Sequence, residues 1–188
     1  MKSTVALLSC LLPLLLASAV RAEPQDLTPV RQIEMYLDGF HNYKREVGLP
    51  PAKQSQLRVA HYCSHYSPEL IQCVLYDGNG KGARLIGVEY VVPEAVYRGL
   101  PAAERKYWHP HDGEVDSGML VLPGLPADQQ KAVLATVRKT WGKTWHVWDY
   151  RQDKLPFGEP RLMWPVAPGQ QSETTRKAMQ ERARNPAF

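Results

Sequence analysis

Apolar positions recur at helical spacing through Val30, Ile33, Leu37, Phe40 and Val47, after a Thr28-Pro29 start and before the stop at Gly48-Leu49-Pro50-Pro51. This pattern predicts a first helix. The period then changes. Residues 57–66 and 70–76 read as two strands joined by a turn at Ser67-Pro68-Glu69, and a Gly-rich loop at 77–82 leads to a third strand at 84–92. Pro93 and Pro101 each open a short helical piece, the second reaching Trp108. Met119 to Leu122 reads as a short strand closed by Pro123-Gly124. Leu125 to Trp141 reads as a helix with Val133, Leu134, Val137 and Trp141 on one side and Gly142 as its stop, and 143–150 as a last strand. A Pro-punctuated stretch follows, then a flexible polar tail over 168–188. The expectation is one α+β domain over 23–167: a small, largely antiparallel sheet, made of a three-stranded meander plus two later strands, packed with helices.

The N-terminus changes the picture of where such a domain would work. Lys2, an apolar run from Val5 to Leu16 and small residues up to Ala22 have the layout of a secretory signal, predicting a signal peptide over 1–22. That run is too short to span a bilayer, so no transmembrane segment is expected after processing, and the protein is expected to be exported, periplasmic or secreted. The removed Lys2 and Arg21 carry two positive charges with no acid between them, so the formal charge falls from +4 to +2. Nothing in that balance predicts a nucleic-acid partner. The segment from Glu173 to Phe188 is mildly basic, but its apolar face holds little beyond Met179, too little for a membrane anchor.

The chemistry is concentrated in histidines and two cysteines. In His61-Tyr62-Cys63-Ser64-His65, strand alternation places His61, Cys63 and His65 on one face. A hairpin centred on Pro68 sets Cys63 opposite Cys73, His65 opposite Ile71 and His61 opposite Leu75. Three readings of the cysteines compete: a structural disulfide, a reduced buried pair, or ligands of a metal shared with His61 and His65. Export favours the bridge between Cys63 and Cys73. A second group, His109-Pro110-His111 with Glu114 behind it, puts imidazoles and carboxylates into one short loop, a donor set suited to zinc, iron, manganese or copper. Glu114 and Gly118 come too early for a cupin motif. Glu89 lies mid-strand among Val88, Tyr90 and Val91, where a carboxylate needs a partner. His41 sits at the margin of the first helix, and His146 alternates with Trp145 and Val147 on the last strand. Gly142-Lys143-Thr144 lacks the upstream glycine of a phosphate loop, and no serine sits in a nucleophile elbow.

Five blocks of the chain are familiar: GFHNY (39–43), HYCSHYSPELIQCVLYDGNGKGARLIGVEYVV (61–92), WHPHDGEVDSGMLVLPGLP (108–126), GKTWHVWDY (142–150) and LPFGEPRLM (155–163). Together they closely resemble the uncharacterised family (domain-of-unknown-function family 1264) that includes the plant oil body-associated proteins, over about residues 37–166, with this chain as an exported member. The resemblance implies an association with lipid droplets and carries no established reaction. All six histidines (His41, His61, His65, His109, His111 and His146) fall within the resembling blocks, which implies one shared site. The resulting expectation is a histidine-rich pocket binding one transition metal ion, zinc first, with Glu89 or Glu114 as proton acceptor in a metal-dependent hydrolysis. The alternative is a non-enzymatic protein binding lipid or another apolar small molecule.

Overall fold

The computed structural model describes residues 25–185; the predicted signal peptide lies outside them. Seven strands form a single antiparallel sheet: β1 (Met35–Tyr43), β2 (Leu57–Ser67), β3 (Leu70–Tyr76), β4 (Leu85–Pro93), β5 (His109–Pro110), β6 (Thr140–His146) and β7 (Arg161–Pro165). Their order is β4-β3-β2-β1-β7-β6-β5, and β4 also pairs with β6. That last pairing, from Gly87 opposite His146 to Pro93 opposite Thr140, closes six strands into a barrel. The short β5 lies against β6 at His109–Gly142, beyond the stretch that pairs with β7. Closure leaves the barrel strands without a continuous open edge.

The expected small open sheet packed with helices is therefore corrected to a closed barrel with one extra strand. The helices are short and peripheral: α1 (Thr28–Arg31), α2 (Glu94–Gly99), α3 (Ala102–Arg105), α4 (Asp112–Asp116), α5 (Ala127–Val137) and α6 (Glu173–Arg184). The predicted first helix shrinks to α1, and Leu37, Phe40 and His41 belong to β1. The misreading has a physical cause, since every residue from Leu37 to Tyr43 is buried. Leu37 and Tyr43 join the core inside the barrel, while Phe40 packs outside it with Met119 and Val166. A strand covered on both faces loses the polar alternation that identifies strands. Met119 to Leu122 form no strand of their own; Val121 exchanges both backbone hydrogen bonds with Asp38, and Met119, Leu120 and Leu122 are buried.

The central hairpin follows the sequence closely. Cys63 pairs with Cys73, His65 with Ile71 and His61 with Leu75, and Cys63 and Cys73 are joined as a disulfide. The bridge, Leu57, Val59, Leu75, Ile86 and Met163 build the apolar part of the interior. The stretch expected to be a flexible polar tail carries α6, capped by Ser172. Its Met179 rests on the Phe40 cluster, and its buried Arg182 donates to Asp38 Oδ1 at 3.1 Å and to the carbonyls of Asp38, Met119 and Gly118 at 3.0, 3.0 and 2.8 Å.

Candidate functional site

Alternation on the barrel strands aims a set of polar side chains inward. His41 comes from β1, His61 from β2, Glu89 from β4, His109 from β5 and His146 from β6, while His111 and Glu114 arrive on the turn into α4 and on α4 itself. All seven are buried.

Glu89 is the hub. Its Oε2 lies 3.3 Å from His61 Nε2, and its Oε1 lies 3.5 and 3.3 Å from Nε2 of His109 and His111. His41 extends the chain, with Nε2 3.1 Å from His61 Nε2 and Nδ1 3.2 Å from His146 Nε2. Glu114 Oε1 stands 3.8 Å from His111 Nε2. Two overlapping trios, His41–His61–Glu89 and Glu89–His109–His111, each offer ligand atoms that all lie within 4.8 Å of one another. Neutral imidazole and carboxylate at such spacing form a donor set that suits a borderline transition-metal ion.

Burial and the shared carboxylate divide the charges. Burial alone would raise the Glu89 carboxyl, but hydrogen bonds from His109, His111 and His61 override it and hold it well below the usual carboxylate range. Burial likewise works against a charge on His61 and His111, yet hydrogen bonding to Glu89 raises both. His41 and His109 are lowered, first by burial, and burial takes His146 down to about 3. Burial pushes Glu114 up to about 7, a proton-holding carboxyl beside an anionic one.

The sequence singled out all six histidines with Glu89 and Glu114, and the fold gathers five of those histidines and both carboxylates in one place. His65 stands apart. It shares a strand with His61, but it is exposed where β2 runs on to an irregularity between His65 and Ser67, and its Nδ1 contacts Glu34 Oε1 at 2.6 Å. Cys63 and Cys73 line the same cavity as His61 and Glu89, but their sulfurs are bonded to each other.

Two residues of the site escaped sequence reasoning. Thr140, placed inside the predicted helix, donates to Val137 O at 2.6 Å and faces His111 Nδ1 at 2.7 Å. Gly142, read as a helix stop, lies within β6; a methyl group there would overlap Glu89 Oε1 and come within 2.6 and 2.7 Å of Nε2 of His111 and His109. The only signal for Gly142 was a glycine two positions from Thr144, which reads equally well as punctuation.

Beside Glu89, His61, His111 and Glu114 lies a cavity of about 30 Å³, otherwise walled by apolar groups including Met35, Leu37 and Val91. That is room for roughly one or two waters, against the several hundred Å³ of an ordinary small-molecule pocket.

A second feature lies on the outside of the barrel. Tyr36, Tyr62, Val74, Val88, Trp145 and Leu162 are successive cross-strand partners through β1, β2, β3, β4, β6 and β7. Their side chains point outward, so they form a largely apolar row around the barrel. Val88 and the neighbouring Tyr90 are exposed, and with Val30, Ile33, Tyr62 and Val74 they line a groove of about 300 Å³.

Comparison with known proteins gives a consistent picture. Residues 27–187 match the family model described as Protein of unknown function (DUF1264). Oil body-associated protein 1A of Zea mays is 43% identical over 74% of this chain and 56% of its own length. Oil body-associated proteins 1B and 2A of Arabidopsis thaliana are 41% and 38% identical, over 80% and 74% of this chain and 58% and 54% of their own lengths. The chain thus spans little more than half the length of these relatives. No solved structure matches. The relatives are plant proteins named for oil bodies, and this overturns the expectation of a periplasmic or secreted protein. With most of its length matched, the chain belongs to the DUF1264 family, alongside the oil body-associated proteins.

Proposed function

We propose that this chain is a non-enzymatic protein of lipid surfaces, docking on them through the apolar row outside its barrel. The supporting observation is the register itself: six outward residues, linked by five successive strand pairings, form one row that winds around the barrel, with Val88 and the neighbouring Tyr90 exposed. An exposed apolar patch of this kind on a folded domain marks a surface that meets another apolar body. The names of the relatives supply its class, a lipid surface. Among the described residues no helix is long and apolar enough to cross a membrane, which is consistent with docking through side chains. Flotation with phospholipid-coated triacylglycerol droplets tests the reading. The wild-type chain is expected to float, and the Val88→Asp/Tyr90→Asp variant to stay below with an unchanged melting curve. Equal behaviour of the two proteins would sink it.

A second reading is favoured by the buried histidine–glutamate cluster, which has the donor chemistry to hold a transition metal such as zinc. Zinc held there would acidify a water ligand, and Glu114, whose Oε1 lies 3.8 Å from His111 Nε2, is the neighbouring carboxyl that would take up its proton. Cavity size weighs against hydrolysis of lipids at this centre, because about 30 Å³ holds water and no acyl chain. The metal in this reading is a component of the barrel interior, and its presence is tested by elemental analysis of the chain purified from zinc-supplemented cells.

A further inference from the structure

We infer that the interior of the barrel is a two-ion site in which Glu89 bridges a pair of divalent transition-metal ions, one held by His41 and His61 and the other by His109 and His111. The inference rests on the reading of the cluster as a metal site and adds its nuclearity and ligand sets.

The division follows from which oxygen each imidazole faces. His61 faces Oε2 of Glu89, at 3.3 Å, whereas His109 and His111 face Oε1, at 3.5 and 3.3 Å. A carboxylate approached by nitrogen ligands at both oxygens has the arrangement of a bridging ligand. The spacings also fit. Four ligands at zinc-like bond lengths around a tetrahedron lie about 3.3–3.6 Å from one another. The closest donor separations are 3.1 and 3.3 Å in the first trio and 3.3 and 3.5 Å in the second.

Proton accounting points the same way. The hydroxyl of Thr140 gives its hydrogen to Val137 O, so toward His111 Nδ1 it can only accept. His111 therefore donates from Nδ1 to Thr140, which turns its Nε2 toward Glu89 Oε1. His41 has the equivalent support, with Nδ1 facing His146 Nε2 while its own Nε2 faces that of His61, where at most one proton fits in the 3.1 Å gap. Each trio thus holds one imidazole whose far nitrogen is occupied by a partner that frees Nε2, the arrangement by which metal-binding histidines are oriented. His146 and Thr140 are positioning residues in this scheme. Gly142 keeps the space between the second trio's donors clear of any side chain.

Equilibrium dialysis of the full chain against Zn(II) and Co(II), read by elemental analysis, tests the inference. Two ions per chain are expected, falling to one in His41→Gln and in His109→Gln, each checked for native near-UV circular dichroism. In the doubly loaded Co(II) protein, magnetic coupling between the ions is expected, and it should disappear in either variant. A plateau at one ion, unaffected by one of the two substitutions, overturns the two-ion site while leaving a single metal centre standing. No uptake in any preparation overturns the metal reading beneath it.

Discussion

Gly142 on β6 and Glu89 on β4 approach so closely that a methyl group on the glycine would occupy the space of the carboxylate Oε1. Glycine is needed here for its lack of a side chain. Gly142→Ala is expected to cost roughly 1–3 kcal/mol in urea denaturation, the usual range for overpacking a buried site. It should also displace Glu89, His109 and His111 together and abolish metal uptake at that trio. Full metal stoichiometry in a stable Gly142→Ala protein would contradict this.

Acid should unfold the metal-free protein through its neutral buried histidines. His146 is lowered to about 3 in the fold, by burial first, against an ordinary value of 6.5. A depressed imidazole stabilises the fold fully above the unfolded value, and that contribution is lost as pH falls from about 6.5 toward 3, because the unfolded chain takes up the proton first. For a shift of this size the loss is on the order of 5 kcal/mol. Chemical denaturation at several pH values should show a shallower decline for His146→Gln than for wild type across that window. Parallel curves would argue against it.

Much of this arrangement could be read from the chain, and the exceptions have identifiable causes. The hairpin of β2 and β3 was legible to the residue from Ala60 to His65, because alternation and a proline turn fix register locally, and it departs only at the irregularity between His65 and Ser67. The donor residues were legible because histidines and mid-strand carboxylates are conspicuous. β1 was not, since the cover over Asp38 and Phe40 erased its polar face. β7 lies in a proline-punctuated stretch with no alternation to betray it. Barrel closure between β4 and β6 joins segments some fifty residues apart, and no local period encodes such a pairing. His65 shows the reverse limit, because alternation gives the face of a strand and says nothing of where the barrel ends.

The C-terminal helix should depend on one side chain. Arg182 satisfies four acceptors on Asp38, Met119 and Gly118 from a buried position. Arg182→Met removes those bonds and one of the two guanidinium partners of Asp38, the other being Arg58. A loss of about 3 kcal/mol or more is expected, with α6 becoming the first site of limited proteolysis. Unchanged protease resistance would remove this role.

The Cys63–Cys73 bridge closes a loop with a sequence separation of 10. By loop entropy its reduction should cost roughly 2–3 kcal/mol. Mass spectrometry after alkylation of the unreduced protein should find both sulfurs blocked. Labelling of both in the folded chain would show that the fold stands without the bridge.

The seam between β4 and β6 also imposes a timetable. His41, His61 and Glu89 lie on β1, β2 and β4, strands that pair through β3 as a consecutive run of the chain. His109 reaches the interior only by pairing with Gly142 on β6, after the 94–139 connection has folded back. A nascent chain can therefore assemble the first trio while the second is still unmade, since contacts between near neighbours in sequence form ahead of distant ones. Refolding begun with Co(II) present should then develop its absorbance in two phases, the slower one coinciding with the change in fluorescence of Trp145 and Trp141 as β6 joins the barrel.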